Sequence, residues 1–236
     1  MRVLILAAHP DDECLGAGGT IARLSAEGHA VYIAILSQGI DSRYTESPIS
    51  GDEAMQQELE KIKAKGQNVR NALKAGKHLG AKCVTVDPQP DQKFDTVPLL
   101  EIVQHIAHIT DKVRPEVIYT HHGGDLNQDH RAVAHATLIA TRPTAECSVK
   151  AVYTYEVPSS TEWAFGMESA FRPNVFVDIS GEYLEKKIQA MKMYESERRA
   201  FPHPRSPEAL RALATWRGAQ AGVMAAEAFQ LVRSVR

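Results

Sequence analysis

The sequence has no surplus of either charge: 27 lysines and arginines stand against 29 aspartates and glutamates, a formal net charge of -2. That balance lacks the basic footprint on which nucleic-acid binding depends, so no nucleic-acid partner is expected. Cysteine is scarce. Cys14, Cys83 and Cys147 are odd in number and widely spaced, which argues against a disulfide framework or a Cys-x-x-Cys metal site and fits a reducing, cytoplasmic setting. No apolar run is long. The first one, Val3 to Ala8, stops at His9-Pro10-Asp11-Asp12-Glu13. It is too short for a secretory signal or a membrane span, and neither is expected. Repeats and low-complexity stretches are missing, and aromatic residues make up only 6%.

What is present is an ordinary globular composition, 44% apolar and 24% charged over 236 residues. That length suits one α/β domain with a sizeable core. The expected organisation is a single domain over 1–236, with a helical C-terminal segment from about 180 packed on it. Continuous apolar or β-branched runs predict strands at Val3 to Ala8, Ala30 to Leu36, Cys83 to Val86 and Val117 to Tyr119, with later ones at Ala151 to Tyr155 and Val175 to Asp178. Helical spacing fills the intervals. Ser50 and Glu53 have capping-box spacing ahead of a long stripe, Met55, Leu59, Ile62, Val69 and Leu73. Ser180 is expected to cap a helix carrying Leu184, Ile188 and Met191, and Ser206-Pro207 to start a last helix that turns Leu210, Leu213 and Trp216 inward. This alternation predicts a Rossmann-like, doubly wound, mostly parallel sheet with helices on both faces.

In such sheets ligands gather at the carboxyl ends of the strands. The loops that leave the first and fourth strands are both dense in histidine and aspartate. In the first, His9 and Asp12 can converge on one ion if the backbone bends at Pro10. A catalytic zinc takes three protein ligands and keeps a position open for water, and the third ligand must come from elsewhere. His121-His122-Gly123-Gly124-Asp125-Leu126-Asn127-Gln128-Asp129-His130 offers candidates, of which His130, just inside a helix, is best placed. The His/Asp/His set suits zinc and also iron(II). Asp11 is then free to act as general base and to return the proton to a departing amine. Glu13 is placed to orient a ligand from behind.

Ala8-His9-Pro10-Asp11-Asp12-Glu13 after a first strand, with Asp129-His130-Arg131-Ala132-Val133 after a later one, resembles the LmbE-like, or PIG-L, de-N-acetylases. The resemblance implies one zinc per chain held by His9, Asp12 and His130, with Asp11 as base. It also implies a small-molecule N-acetylated sugar or glycoconjugate as substrate. One position departs from the pattern: many members carry a histidine three residues before the second ligand histidine, and here Asn127 stands there. Asparagine can donate to an oxyanion but cannot serve as a charged acid. His203, between two prolines, and His122 are candidates to fill the gap. Arg43, His122 and Asp125 are candidate substrate contacts.

Three further readings stay open at this stage. The same ligands could serve an iron(II) enzyme, or the chain could be a sugar-binding homologue that has lost its activity. Trp163 and Phe165, after a Ser-rich turn, could form a sugar platform or a contact in a homo-oligomer. Gly16-Ala17-Gly18-Gly19 lacks the full dinucleotide fingerprint, because Ile21 stands where the last glycine belongs, and is read as tight packing of helix on sheet.

Overall fold

The apolar run at the start of the chain has no polar face, and it becomes the middle of a sheet: Val3 to Ala8 are all fully buried. This is β1 (Arg2–Ala7) of a computed structural model that describes residues 1–40, 52–167 and 169–235. Seven strands make one sheet in the order β3-β2-β1-β4-β5-β7-β6. β2 (Ala30–Ser37), β3 (Cys83–Gln89), β4 (Val117–His121) and β5 (Ala151–Tyr155) run parallel with β1 as one block. β6 (Val175–Asp178) and β7 (Ala226–Ser234) complete the sheet in antiparallel pairing. From β1 the chain builds outward through β2 and β3, then returns to place β4 on the other side. The carboxyl ends of β1 and β4 therefore border the crevice where the winding reverses.

Alternation along β1 feeds both faces of the sheet. Val3, Ile5 and Ala7 pack under α1 (Asp12–Ala26), α2 (Asp52–His78) and α5 (Glu182–Lys192), while Leu4, Leu6 and Ala8 pack under α3 (Leu99–Val113) and α4 (Gln128–Ala140). α6 (Pro207–Ala221) adds Leu210 to the first layer. Ser206 caps α6 as its sequence predicts, its Oγ accepting from Ala209 N at 3.1 Å. A doubly wound α/β fold is thus present. No helix among the described residues is long and apolar enough to cross a membrane.

Several local expectations are corrected. The stripe on α2 faces outward: Met55, Leu59, Ile62 and Leu73 are exposed, and the buried face carries Asn68, Asn71, Ala72 and Ala75 instead. Trp216 on α6 is exposed as well. Ser180 does not cap α5, whose N-cap is Gly181; its hydroxyl donates to Asp178. The segment from 180 is not helical throughout, because it ends in β7. The proposed cap at Ser50 and Glu53, and Arg43, lie outside the residues whose side chains are described.

α1 is broken at Ala17 (φ -141°, ψ 15°), and a buried ion pair serves the backbone there. Lys187 Nζ donates to Leu15 O (2.8 Å) and to Glu227 Oε1 (2.6 Å), while Glu227 accepts from Gly19 N (3.0 Å) and Thr20 N (2.7 Å). The glycines on either side of the break allow close packing; a Cβ on Gly16 would lie 2.2 Å from the Tyr155 ring. Removing one partner of such a pair leaves a buried charge uncompensated, at about 3–5 kcal/mol. Lys187→Met should therefore lower unfolding free energy by about that amount, read as a fall in the urea midpoint at unchanged slope. A change within experimental error would mean that the backbone hydrogen bonds alone suffice.

Candidate active site

Between β1 and α1 the chain turns within four residues, and the turn is strained. Asp11 sits at φ 112°, ψ -26°, a region that non-glycine residues enter at about 1–3 kcal/mol. The surroundings hold it there: Asp11 O accepts from Cys14 N (3.0 Å) and Leu15 N (2.9 Å), and Asp11 N donates to Glu13 Oε2 (3.1 Å). Glu13 thus holds the Asp11 backbone and touches neither His9 nor His130. Its other oxygen accepts from Tyr194 and Cys14. The turn closes when His9 N donates to Asp12 Oδ2 (2.9 Å), which leaves His9 Nδ1 3.3 Å from that same oxygen.

The third member arrives from the loop after β4. Asn127 caps α4, its Oδ1 accepting from Asp129 N (2.8 Å), and His130 falls in the first turn of that helix. His130 Nε2 lies 3.3 Å from Asp12 Oδ2. His9, Asp12 and His130 are all buried, and one ligand atom of each lies within 4.8 Å of the others. Donors about 2.1 Å from a tetrahedral zinc sit about 3.4 Å apart, close to the two 3.3 Å separations found here. His130 Nε2 is also a buried atom without a hydrogen-bond partner. An orphaned nitrogen beside a carboxylate oxygen is what a site built for a cation presents.

Behind the triad, each imidazole has its second nitrogen beside a carboxylate. His9 Nε2 is hydrogen-bonded to Asp129 Oδ2 (3.1 Å), and Asp129 Oδ1 accepts from Phe94 N (3.0 Å). His130 Nδ1 lies 3.1 Å from Asp125 Oδ1, and Ser160 and Thr161 donate to the same Asp125 carboxylate. This leaves His9 Nδ1 and His130 Nε2 as the nitrogens aimed at the shared Asp12 oxygen. Such supporting carboxylates are worth 10- to 100-fold in metal affinity. Asp129→Asn should weaken metal binding by roughly that factor, measured by competition with a chromophoric chelator. Unchanged affinity would show that Asp129 serves only the loop at Phe94.

The electrostatics follow from crowding acids in a dry place. Burial would depress His9 and His130, but carboxylates win. Asp12 and Asp129 push His9 up to about 10, and Asp12 and Asp125 push His130 up to about 9. Asp12, despite a burial penalty, is held well below the carboxylate range by His130 and by its hydrogen bond with His9. Asp11 moves the other way. Burial, with Asp12 and Glu197 nearby, raises it, and the Arg205 guanidinium only partly opposes them. His121 stacks on His130 with ring centroids 4.0 Å apart, but its Nε2 accepts from Ala8 N (2.8 Å). That nitrogen is already engaged, so His121 supports the triad as a packed neutral ring.

A cleft of about 160 Å³ opens over these residues, walled by Asn68, Asp91, Gln92, Asn127, Ser159 and Arg205. Asn127 is on the wall as expected, its Nδ2 donating to Gln92 Oε1 (3.1 Å). Three expected residues are elsewhere. Asp125 is fully buried and engaged with His130, so it cannot meet a substrate. His122 points away to Ser169 O (3.0 Å) and the Phe171 ring. His203 does not line the cleft; Arg205, two residues on, does. Arg205 Nη1 donates to Asp11 Oδ2 (2.8 Å) and Glu197 Oε2 (3.0 Å). Asp129 was visible in the sequence as the neighbour of His130. Arg205 and Glu197 carried no local signal beyond the stiff proline-flanked segment in which Arg205 lies.

Known proteins resemble this chain in sequence and in fold. Residues 4–141 match the family model described as PIG-L, GlcNAc-PI de-N-acetylase. The chain is 31% identical over 197 residues to the uncharacterized deacetylase YaiS of Escherichia coli, covering 82% of this chain and 90% of that one. It is 26% identical over 210 residues to a 1D-myo-inositol 2-acetamido-2-deoxy-alpha-D-glucopyranoside deacetylase of Mycobacteroides abscessus, covering 80% and 74%. Among solved structures, GalB, the 4-carboxy-2-hydroxymuconate hydratase of Pseudomonas putida, aligns with a TM-score of 0.75 at 21% identity over 100% of this chain and 97% of that one. The N,N'-diacetylchitobiose deacetylase of Pyrococcus horikoshii aligns with a TM-score of 0.72 at 21% identity over 98% and 84%. These structural likenesses speak to the fold alone. The family match takes in the turn after β1, the loop after β4 and all three ligand candidates, and the chain belongs to the PIG-L family of de-N-acetylases.

Proposed function

We propose that this protein is a zinc-dependent hydrolase that removes the acetyl group from the nitrogen of an N-acetylated amino sugar. One observation carries the reading: three buried donors cluster within 4.8 Å, two of their separations at 3.3 Å, and a second carboxylate, Asp11, stands beside them outside that set. A zinc ion held by His9, Asp12 and His130 would supply Lewis acidity, polarising a carbonyl oxygen and acidifying water. Asp11 takes a proton from the water as its oxygen attacks the amide carbon, and gives that proton to the nitrogen as the C–N bond breaks. Acetate and the free amine leave. The upward shift of Asp11 makes it a better proton acceptor than a solvated carboxylate, and Arg205 fixes its direction. Asn127 offers its amide N–H at the cleft wall for a developing oxyanion.

The relatives named as amino-sugar deacetylases support the substrate class. The fold by itself does not choose the reaction, because the hydratase GalB shares it. An iron(II) reading leaves Asp11 without a task. The deciding experiment measures acetate release from a panel of N-acetylglucosamine conjugates alongside the metal content of the same sample. Release at about one zinc per chain is expected; no release at full zinc occupancy would overturn the reading.

A further inference from the structure

Two segments that wall the cleft run outward into aromatic side chains. Ser159 and Ser160 line the cleft, and the short turn Thr161–Trp163 follows at once. On the other side Arg205 reaches Asp11, and His203 lies two residues before it. One hydrogen bond ties these segments together at the lip, and a second fixes His203 within its own. Arg205 Nε donates to Ser159 Oγ (2.7 Å), and Arg205 N donates to His203 Nδ1 (3.1 Å). Beyond the tie, the Trp163 and His203 rings meet edge to face, with centroids 5.8 Å apart at 82°. His203 braces the indole, yet 38% of Trp163 stays in solvent.

The size of the cleft says what reaches that indole. Pockets that enclose a whole small ligand run to roughly 300–1,000 Å³, and this cleft, as bounded by the described residues, is about 160 Å³. It is small enough to take the acetamido sugar alone, and whatever that sugar is joined to passes over the lip. A pyranose has an apolar C–H face that an indole can cover while the hydroxyl rim stays in water. A flat, half-open indole next to a polar wall suits such a ring better than it suits an extended chain, which would need a groove.

We infer that Trp163, braced by His203, is a subsite for a second sugar ring joined to the acetamido sugar in the cleft. The inference rests on the amino-sugar reading of that cleft. Two measurements keep the fates of the two readings distinct. In the first, acetate release is compared for N-acetylglucosamine and N,N'-diacetylchitobiose. Trp163→Ala should lower the disaccharide-to-monosaccharide ratio of kcat/KM about tenfold (about 1.4 kcal/mol), mostly through KM, and Trp163→Phe should restore most of it. An unchanged ratio overturns the subsite. So does a loss confined to an octyl glycoside of N-acetylglucosamine, which would mean that a chain docks there.

The second measurement needs no turnover. The chain has two tryptophans, and Trp216→Phe on the exposed face of α6 leaves Trp163 as the sole tryptophan, excited selectively at the red edge of the absorption band. Disaccharide should shift or quench its fluorescence at concentrations where the monosaccharide does not. A fluorescence response without acetate release would sink the hydrolase reading and keep the subsite. Acetate release with no dependence on Trp163 in either measurement would do the reverse.

Discussion

Asp11→Asn should lower turnover at least 100-fold while leaving the zinc content unchanged. A positioned acid–base group contributes roughly 10²- to 10⁴-fold, and Asp11, raised by burial and pointed by Arg205, stands beside the three donors without belonging to their cluster. Asparagine has the same shape and keeps an oxygen for Arg205, so the strained turn at φ 112° should survive. What it loses is the ability to hold a proton between water and amine. Turnover and zinc should therefore separate. Full activity would assign the proton to another group, and zinc lost together with activity would place Asp11 in the metal's support.

His130→Ala should do the opposite and remove the metal itself, with activity falling to background. In the proposed site His130 supplies one of three donors, and the described residues contain no other group of three that could hold a metal. Two donors do not make a tight zinc site. The same loss should follow chelation of the parent protein and be reversed by added zinc. Binding to the folded state alone also stabilises it, by about 2.7 kcal/mol at a hundredfold excess of zinc over Kd. The melting temperature should rise with zinc in the parent and stay flat in the variant. Protons compete for this site. His9 and His130 carry theirs up to about 10 and about 9 without metal, so zinc affinity should climb as pH rises into that range. Residual stoichiometric zinc in His130→Ala would show that the third ligand has been misassigned.

How much of this was legible in the residues depended on how local the signal was. The buried run of β1 and its abrupt acidic break lie within a dozen residues, and they sufficed to place His9, Asp11 and Asp12 together. His130 was reachable because parallel topology brings the loop after β4 next to the turn after β1. Arg205 was not. It meets Asp11 across 194 positions of sequence, and nothing in a proline-flanked stretch says which side chain points inward. The α2 stripe shows a second limit. Spacing at 3–4 residues marks a face, but the sheet chose the face with Asn68, Asn71 and Ala72, leaving Met55, Leu59 and Ile62 outside. β7 escaped notice because its inward positions include Glu227, a residue that reads as surface until Lys187 is seen beside it.

That last strand also changes how the two ends of the protein are to be handled. β7 pairs with β5 and β6, and its Glu227 holds the broken middle of α1, the helix that starts at the His9–Asp12 turn. Residues more than two hundred positions apart thus form one mechanical unit, Gly19 and Glu227 being 208 apart in sequence. A tag, a truncation or a fusion joint near the carboxyl end bears on a turn at the opposite end of the chain. For anyone engineering the protein, the tail is part of the foundation of the active site.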